Sequence, residues 1–393
     1  MPIPHLPAEI LDHVVDHLHD TKYALRYCCL VSKSWIPRAR THIFANIKFH
    51  TAEDLESWKQ TFPDPSTSPA HYAKTLFVGS SEVVTAVGGE AGDWIRGFSR
   101  VVQLKVGSRG SFADTPAISF VPFHGFSPVT KSLRVIIPHL PSSPIFDLIL
   151  SFPLLEDLSL IVHEAPADNG DGHREDEMST ATQPSSSPMF TGSLELLLRG
   201  GMKLVAHRLL SLPGGIHFRK LTLTWIHKED LLMVMALVEG CSHTLESLRI
   251  ICSILGKSIL HLRSRRYSLL LPGQSGPAPL DLSKTTKLKD VVFQLRSWNV
   301  EWIATTLKTI TPKHRDLRQI TIRIPYYLTL TDAKQTIGEA ICGQWSDLDC
   351  LLVLLWESRS VRLKVVCAVV RGIEVCIGLL LPEATKREIV DLV

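Results

Sequence analysis

Apolar residues recur along most of the chain in a six-residue pattern, occupying the first, fourth and sixth positions of each copy. Alternation of this kind is typical of a short strand with one buried face. Most copies follow one another at 25 to 31 residues, which leaves room for one returning helix or turn per copy. The clearest copies are VVQLKV (101–106), LEDLSL (155–160), FRKLTL (218–223), LESLRI (245–250), LKDVVF (288–293) and LRQITI (317–322), and the weaker ones are AKTLFV (73–78), TKSLRV (130–135), TGSLEL (191–196) and LDCLLV (348–353).

Stretches with apolar residues at helical spacing lie between several of these strands, at 144–151, 228–239 and 300–310. Strand and helix therefore alternate, which predicts an α/β fold with a parallel sheet, in which each strand and its helix pack on the next pair. One longer interval contains 164–190, a segment that is acidic, rich in Ser and Pro and poor in apolar residues. We predict that this segment is a disordered surface insertion.

The N-terminal segment predicts three short helices. Ile10, Val14 and Leu18 recur at helical spacing in the first of them, opposite a polar face. The second predicted helix is 23–31, and the third begins near Trp35, after two serines that suit a helix cap. Each helix has one apolar side, so the three are expected to pack against each other and to leave apolar surface for a partner.

The motifs LPAEI (6–10) and LVSKSW (30–35) resemble the F-box family in order and spacing, and the match covers about the first 48 residues. F-box segments are helical modules that bind a Skp-type adaptor, which tethers them to a cullin-type ubiquitin ligase. The resemblance therefore implies both partners for this chain, with Val14 and Leu18 inside the module. The implied adaptor-binding residues are Leu6, Pro7, Ile10, Leu25, Val31 and Trp35.

The strand pattern of the remaining chain is similar to that of leucine-rich repeat proteins. The segments 345–367 and 376–393 resemble the end of a large F-box-like family of mushroom-forming fungi. The asparagine or cysteine that leucine-rich repeats carry three positions after the last leucine is absent here. We therefore expect an F-box-like helical module at 1–49, followed at 50–393 by a degenerate leucine-rich-repeat-like domain that forms an irregular, curved solenoid.

The residue between the two buried positions of each strand should point away from the core. Basic side chains occupy three of these outward positions. If a target protein binds this face, Lys105, Arg134 and Arg249 would contact its acidic groups; the alternative is a solvated sheet face without a partner. The complete outward set is Lys105, Arg134, Ser159, Glu195, Thr222, Arg249 and Thr321.

Charge and composition argue against several classes of function. The formal net charge of +3 is small for 393 residues and no long Lys/Arg block occurs, so no nucleic-acid partner is expected. The most apolar later stretch, 365–381, contains Arg371 and Glu374, so no membrane partner or membrane span is expected. A secretory leader is not recognisable and the eight cysteines form no CxxC pair, which favours reduced thiols and a cytoplasmic or nuclear location.

Candidate catalytic residues form no recognisable constellation in the sequence. His13 and His17 lie four residues apart on the first predicted helix, but no third metal ligand accompanies them, which favours a solvated helix face. We expect no enzyme activity, cofactor or metal. Two hypotheses follow: an adaptor that recruits an unidentified target protein to the ligase, and a protein-interaction scaffold whose N-terminal helices only cap the repeat domain.

Overall fold

The computed structural model has an α/β fold with parallel strands, as the sequence predicts. The chain divides into two compact units, Met1–Met189 and Phe190–Val393. The structure describes residues 7–64, 66–79, 83, 94–95, 97–107, 120, 123, 126, 128–137, 144–162, 190–198, 201–225, 228–252, 279–295, 300–324, 339–359, 361–367, 378 and 380–392.

The first unit begins with three α-helices, α1 (Ala8–His17), α2 (Lys22–Val31) and α3 (Ile36–Ile43). They lie where the apolar spacing predicts helices, and a short 3-10 helix, Lys33–Trp35, joins the last two. These three helices are called the helical module below. Its core consists of buried Val15, Leu25, Cys28 and Ala39, with Leu18, Cys29, Trp35 and Ile43 packed against them.

The sheet of the first unit contains five described strands, which lie side by side in chain order and pair in parallel. Because each strand pairs with the next one along the chain, the connections between them must return to the same edge. The elements that follow the helical module are β1 (Asn46–Phe49), α4 (Ala52–Thr61), the 3-10 helix Pro69–Tyr72, β2 (Thr75–Val78), β3 (Gln103–Gly107), β4 (Ser132–Ile137), α5 (Pro144–Leu150) and β5 (Asp157–Val162).

The pairing register of this sheet places the predicted apolar positions in one row. Leu76 pairs with Leu104, which pairs with Leu133, which in turn pairs with Leu158. All four side chains are buried. The alternation of buried and partly exposed residues along each strand therefore matches the six-residue pattern, with one face turned to the core.

The second unit has seven described strands, again parallel and in chain order. Helix α7 contacts β7, and its apolar residues Leu231, Val234 and Val238 are buried. The elements are β6 (Ser193–Leu198), α6 (Met202–Leu210), β7 (Lys220–Trp225), α7 (Lys228–Gly240), β8 (Ser247–Cys252), β9 (Asp290–Gln294), α8 (Glu301–Leu307), β10 (Gln319–Ile324), α9 (Glu339–Arg359), β11 (Arg362–Cys367), α10 (Pro382–Lys386) and β12 (Val390–Leu392).

One predicted strand is wrong. The segment 348–353 (LDCLLV) belongs to helix α9, and the strand of this region is β11, which begins at Arg362. The buried residues of α9 include Trp345, Leu348, Leu352 and Leu355, which recur at helical spacing. A short run that is apolar at almost every position fits both a strand and a helix. Here the run is part of a longer stretch, and a stretch of that length favours a helix.

The predicted insertion at 164–190 lies outside the described residues except at its last position. Phe190 is fully buried and its ring lies 5.0 Å from that of Phe218, so the second unit includes this residue in its core. Strand β1, which the prediction assigns to the helical module, pairs with β2 in the sheet. The division at residue 49 stays a prediction, as do the F-box identity of the helices and the solenoid class of the body.

None of the described helices combines the length and the apolar content that crossing a bilayer requires.

Candidate protein-interaction surfaces

Helix α1 carries exposed apolar side chains along one side. Pro7 precedes the helix and is exposed, Ile10 is 49% exposed and Val14 is 44% exposed. Residues three and four apart are neighbours on a helix surface, so these positions form one stripe. One residue further along, Val15 is buried, and Leu11 and Leu18 on the same side of the helix are partly buried.

Helix α2 carries a second exposed stripe. Of its residues, only Val31 was predicted from the sequence to bind a partner. Leu30 is 82% exposed and Val31 is 69% exposed. One turn earlier, Tyr23 and Tyr27 meet edge to face with ring centroids 4.8 Å apart, and the Tyr27 hydroxyl donates to that of Tyr23 at 2.7 Å. The two stripes together, Pro7, Ile10 and Val14 on the α1 side and Tyr23, Tyr27, Leu30 and Val31 on α2, are called the apolar stripes below.

The predicted adaptor-binding residues do not all reach the surface. Leu6 lies outside the described residues, while Pro7, Ile10 and Val31 are exposed. Leu25 is fully buried between the helices, so it holds the module together and does not present a side chain to a partner. Trp35 is partly buried against the same core.

Val14 differs from its predicted position. We expected it inside the module, but it is exposed and Val15 is buried instead. Val14 and Val15 are adjacent, and the apolar spacing of a ten-residue helix fits either phase until the packing against α2 and α3 selects one. The polar positions that pair across the module could not be identified from the sequence for the same reason.

A polar cluster joins α1 to α3. The guanidinium of Arg38 donates to both carboxylate oxygens of Asp16, from Nε at 2.6 Å and from Nη2 at 2.5 Å. His42 Nε2 lies 2.7 Å from Oδ1 of the same carboxylate. The hydrogen bonds from Arg38, and then those from His42, hold the pKa of Asp16 far below its usual range. This cluster connects the first and third helices of the helical module.

The outward face of the first unit's sheet places two cations side by side. Lys105 on β3 is the register partner of Arg134 on β4, and both are partly exposed. Ser159 on β5 continues the row. The Arg134 Nε atom is buried and has no hydrogen-bond partner among the described residues. Like charges at directly paired positions oppose each other, so this pair does not contribute to sheet stability.

The outward face of the second unit's sheet contains Arg249, and the structure adds two neighbours that the sequence interpretation missed. Arg249 Nη2 donates to Oε1 of Gln294 on β9 at 3.2 Å. Arg323 on β10 is close enough for its charge to act on Arg249. Burial, followed by the charge of Arg323, lowers the pKa of Arg249, while Glu195 acts in the opposite direction. Arg249, Gln294 and Arg323 are called the arginine cluster below.

Gln294 and Arg323 were not predicted from the sequence, because only one outward position was assigned to each strand. Both lie two residues further along their strands, on the same side, and are themselves register partners. Applying the alternation to the whole length of each strand would have found them. Thr321, which was expected to be outward and open, is 4% exposed and accepts a hydrogen bond from Gln319 at 2.8 Å.

Other reactive groups of the described residues are enclosed or scattered. Burial raises the pKa of the Cys241 thiol to about 12. His314 is fully buried, with Nε2 2.8 Å from the carbonyl oxygen of Leu282 and Nδ1 3.1 Å from the backbone nitrogen of Thr311. His13 and His17 are exposed on α1, and no group of three or more His, Cys, Asp and Glu side chains in the described part of the chain is placed to hold a metal ion.

Comparison of the chain with models of known protein families gives no match, and comparison with curated protein sequences gives none.

Proposed function

We propose that this protein recruits a target protein to a cullin-type ubiquitin ligase, with the helical module binding a Skp-type adaptor and the sheet faces binding the target. The observation that carries the proposal is the pair of apolar stripes on α1 and α2. Leu30 and Val31 stand out at 82% and 69% exposure on a module whose core is already complete. Apolar side chains grouped in this way favour a protein-binding surface.

The size of the side chains in the stripes also favours binding. Burial of a large aliphatic side chain contributes about 1.5–3 kcal/mol relative to exposure, so covering Ile10, Leu30 and Val31 would favour association before its entropic cost is subtracted. The F-box resemblance falls on the same helices and includes three of the exposed positions, Pro7, Ile10 and Val31. Sequence resemblance and exposure therefore support the same surface.

The chemical role of such a protein is to hold two partners together. Binding the ligase through one surface and the target through another raises their effective concentration, and no reacting group is needed on this chain. The chain suits this role because the exposed apolar residues of the helical module and the outward residues of the sheets belong to different elements.

Adaptor binding can be tested by co-purification with a purified Skp-type adaptor. We would compare the wild type with an Ile10→Ala, Leu30→Ala, Val31→Ala variant. The matched control is Leu232→Ala, Leu354→Ala, which removes side chains that are 62% and 61% exposed on α7 and α9 of the second unit. All proteins should have the same circular dichroism spectrum.

We expect the stripe variant to lose the adaptor and the control to retain it. A stripe variant that binds as tightly as the wild type would contradict the proposed surface. Failure of the folded wild type to bind any Skp-type adaptor would contradict the ligase role itself.

The scaffold alternative is favoured by one observation. Only two residues separate α3 from β1, and the backbone nitrogens of Lys74 and Thr75 both donate to the Ala45 carbonyl oxygen at 2.9 Å. The helical module is thus joined directly to the first strand of the sheet, as an end cap would be. In that case the wild type would bind no Skp-type adaptor, and deletion of the module would unfold the first unit.

A further inference from the structure

The arginine cluster spans three adjacent strands of the second unit. Arg249 lies on β8, Gln294 on β9 and Arg323 on β10, with β9 paired to both of its neighbours. The Gln294 side chain accepts from Arg249 at 3.2 Å, which fixes the position of that guanidinium. Two cations are therefore held on one sheet face on either side of an amide.

Hydrogen-bond donors outnumber acceptors in this cluster. Gln294 uses its carbonyl oxygen for Arg249, and its amide nitrogen is a further donor of the cluster. The Arg249 Nε atom is buried and has no partner among the described residues. A guanidinium carries only donors, so the exposed Arg323 can also offer N–H groups to a bound acceptor.

Positive charges predominate in and around the cluster. Arg323 opposes the charge of Arg249, and the carboxylate that favours it, Glu195, belongs to β6, two strands away. Lys364 on β11 adds a further cation beside Thr321. Arg249 is partly buried and the exposed Arg323 adds a like charge beside it, so binding of an anion at this place would be favourable.

We propose that the arginine cluster binds a carboxylate group of an acidic segment in the recruited target protein, an assignment that rests on the proposed function. A guanidinium can donate two parallel hydrogen bonds to one carboxylate, and its weak hydration makes its transfer into an interface less costly than that of an ammonium group. Arg249 and Arg323 would hold the carboxylate from two sides, with the Gln294 amide completing the set of donors.

The side chains around the cluster allow a peptide to approach it. The neighbours of Arg249 in the outward row are Thr222, Val292 and Thr321, whose side chains are shorter than that of arginine. An extended acidic segment can therefore lie along this face while its carboxylates reach the donors. The proposed target segment is therefore one that is rich in Asp and Glu.

Selection from a library of random peptides displayed on phage, with the full chain as bait, would test this assignment. Wild type would be compared with Arg249→Gln, Arg323→Gln, and with the control Lys203→Gln, Lys308→Gln. The control removes the same charge from exposed residues on α6 and just after α8. Selected peptides would then be synthesised with Asp and Glu, and again with Asn and Gln in their place, and their affinities measured by fluorescence anisotropy.

We expect Asp and Glu to be enriched in peptides selected by the wild type and by the control. The Arg249→Gln, Arg323→Gln variant should bind these peptides at least about tenfold more weakly, which equals about 1.4 kcal/mol. The amide versions should bind equally weakly to all three proteins. Absence of acidic enrichment, or equal weakening in both variants, would overturn the assignment, the latter because it would indicate only long-range charge.

The same proteins separate this inference from the proposed function. The Arg249→Gln, Arg323→Gln variant should co-purify with a Skp-type adaptor as the wild type does. If the acidic peptides bind but the adaptor does not, the recruiting function fails and the carboxylate site stands. If the adaptor binds but the acidic peptides do not, only the carboxylate site fails.

Discussion

Asp16 on α1 accepts two hydrogen bonds from the Arg38 guanidinium on α3, a paired geometry that fixes both distance and orientation. The two residues are 22 positions apart in the sequence, so their contact closes the helical module across its middle helix. A polar contact therefore links the orientation of α1, which carries the exposed Ile10 and Val14, to that of α3.

The first prediction concerns acid stability. Because Arg38 and His42 hold the folded-state pKa of Asp16 below its ordinary value of 3.8, the carboxylate stabilises the fold fully above that value. This contribution should fall as the pH drops through the depressed pKa. We expect Asp16→Asn to be less stable than wild type near neutral pH, with a difference that shrinks in acid. Urea unfolding followed at several pH values would measure it.

A matched variant separates the ion pair from the general effect of acid. Arg38→Gln removes the main cause of the depressed pKa and should reduce the pH dependence in the same direction. A constant difference between wild type and Asp16→Asn at every pH would contradict the assignment.

The second prediction compares the same substitution at two glycines. Gly107 ends β3 with φ +125°, and a Cβ there would lie 1.7 Å from the Ile136 carbonyl oxygen of β4. Gly107→Ala should cost about 3 kcal/mol or more, because both the backbone conformation and the strand spacing must change. Gly343 lies in helix α9 with open space around it, so Gly343→Ala should stabilise by about 0.5–1 kcal/mol. Thermal unfolding of both variants would reveal opposite signs.

The third prediction separates stability from binding in the helical module. Leu25 is fully buried and Leu30 is 82% exposed, five residues later on the same helix. Leu25→Ala should lower the free energy of unfolding by about 2–5 kcal/mol. Leu30→Ala should change it by less than about 0.5 kcal/mol but weaken adaptor binding. Chemical denaturation and an adaptor-binding titration on both variants would test this, and a loss of stability in Leu30→Ala would contradict it.

The fourth prediction concerns a buried carboxylate of the second unit. Asp349 on α9 accepts from the backbone nitrogens of Glu383 and Ala384, at 2.9 and 2.8 Å, and so caps the first turn of α10. Asp349→Ala leaves these two donors without their partner and should destabilise by about 3 kcal/mol. Asp347→Ala is the control, since Asp347 is exposed on the same helix and should be nearly neutral. Equal effects in urea unfolding would exclude the cap as the cause.

The sequence could predict β2 to β10 because the apolar pattern recurs in the body at intervals that are mostly 25 to 31 residues. Strands β1, β11 and β12 and helices α4, α6, α9 and α10 were not predicted. VVQLKV, LEDLSL and LRQITI coincide with β3, β5 and β10, with their leucines and isoleucines buried in register. Short helices were harder to interpret in detail. The choice between Val14 and Val15 depends on packing partners distant in sequence, and so does the burial of Leu25.

The candidate surfaces were predictable only in part for a related reason. Arg249 follows from the alternation within one strand, but its contacts with Gln294 and Arg323 depend on the register between strands. The exposed tyrosines of α2 belong to a helix that is apolar on two sides, and composition does not indicate which side faces the core. Pairing register and helix orientation are properties of the folded chain.

The order of the strands has a consequence for synthesis on the ribosome. Within each unit every strand pairs with the strand that precedes it in the chain, so a newly emerged strand meets a complementary edge that is already present. Sequence-local pairing of this kind favours rapid folding and allows growth by addition at one end. The nascent chain of each unit can therefore acquire structure stepwise while its later segments are still being translated.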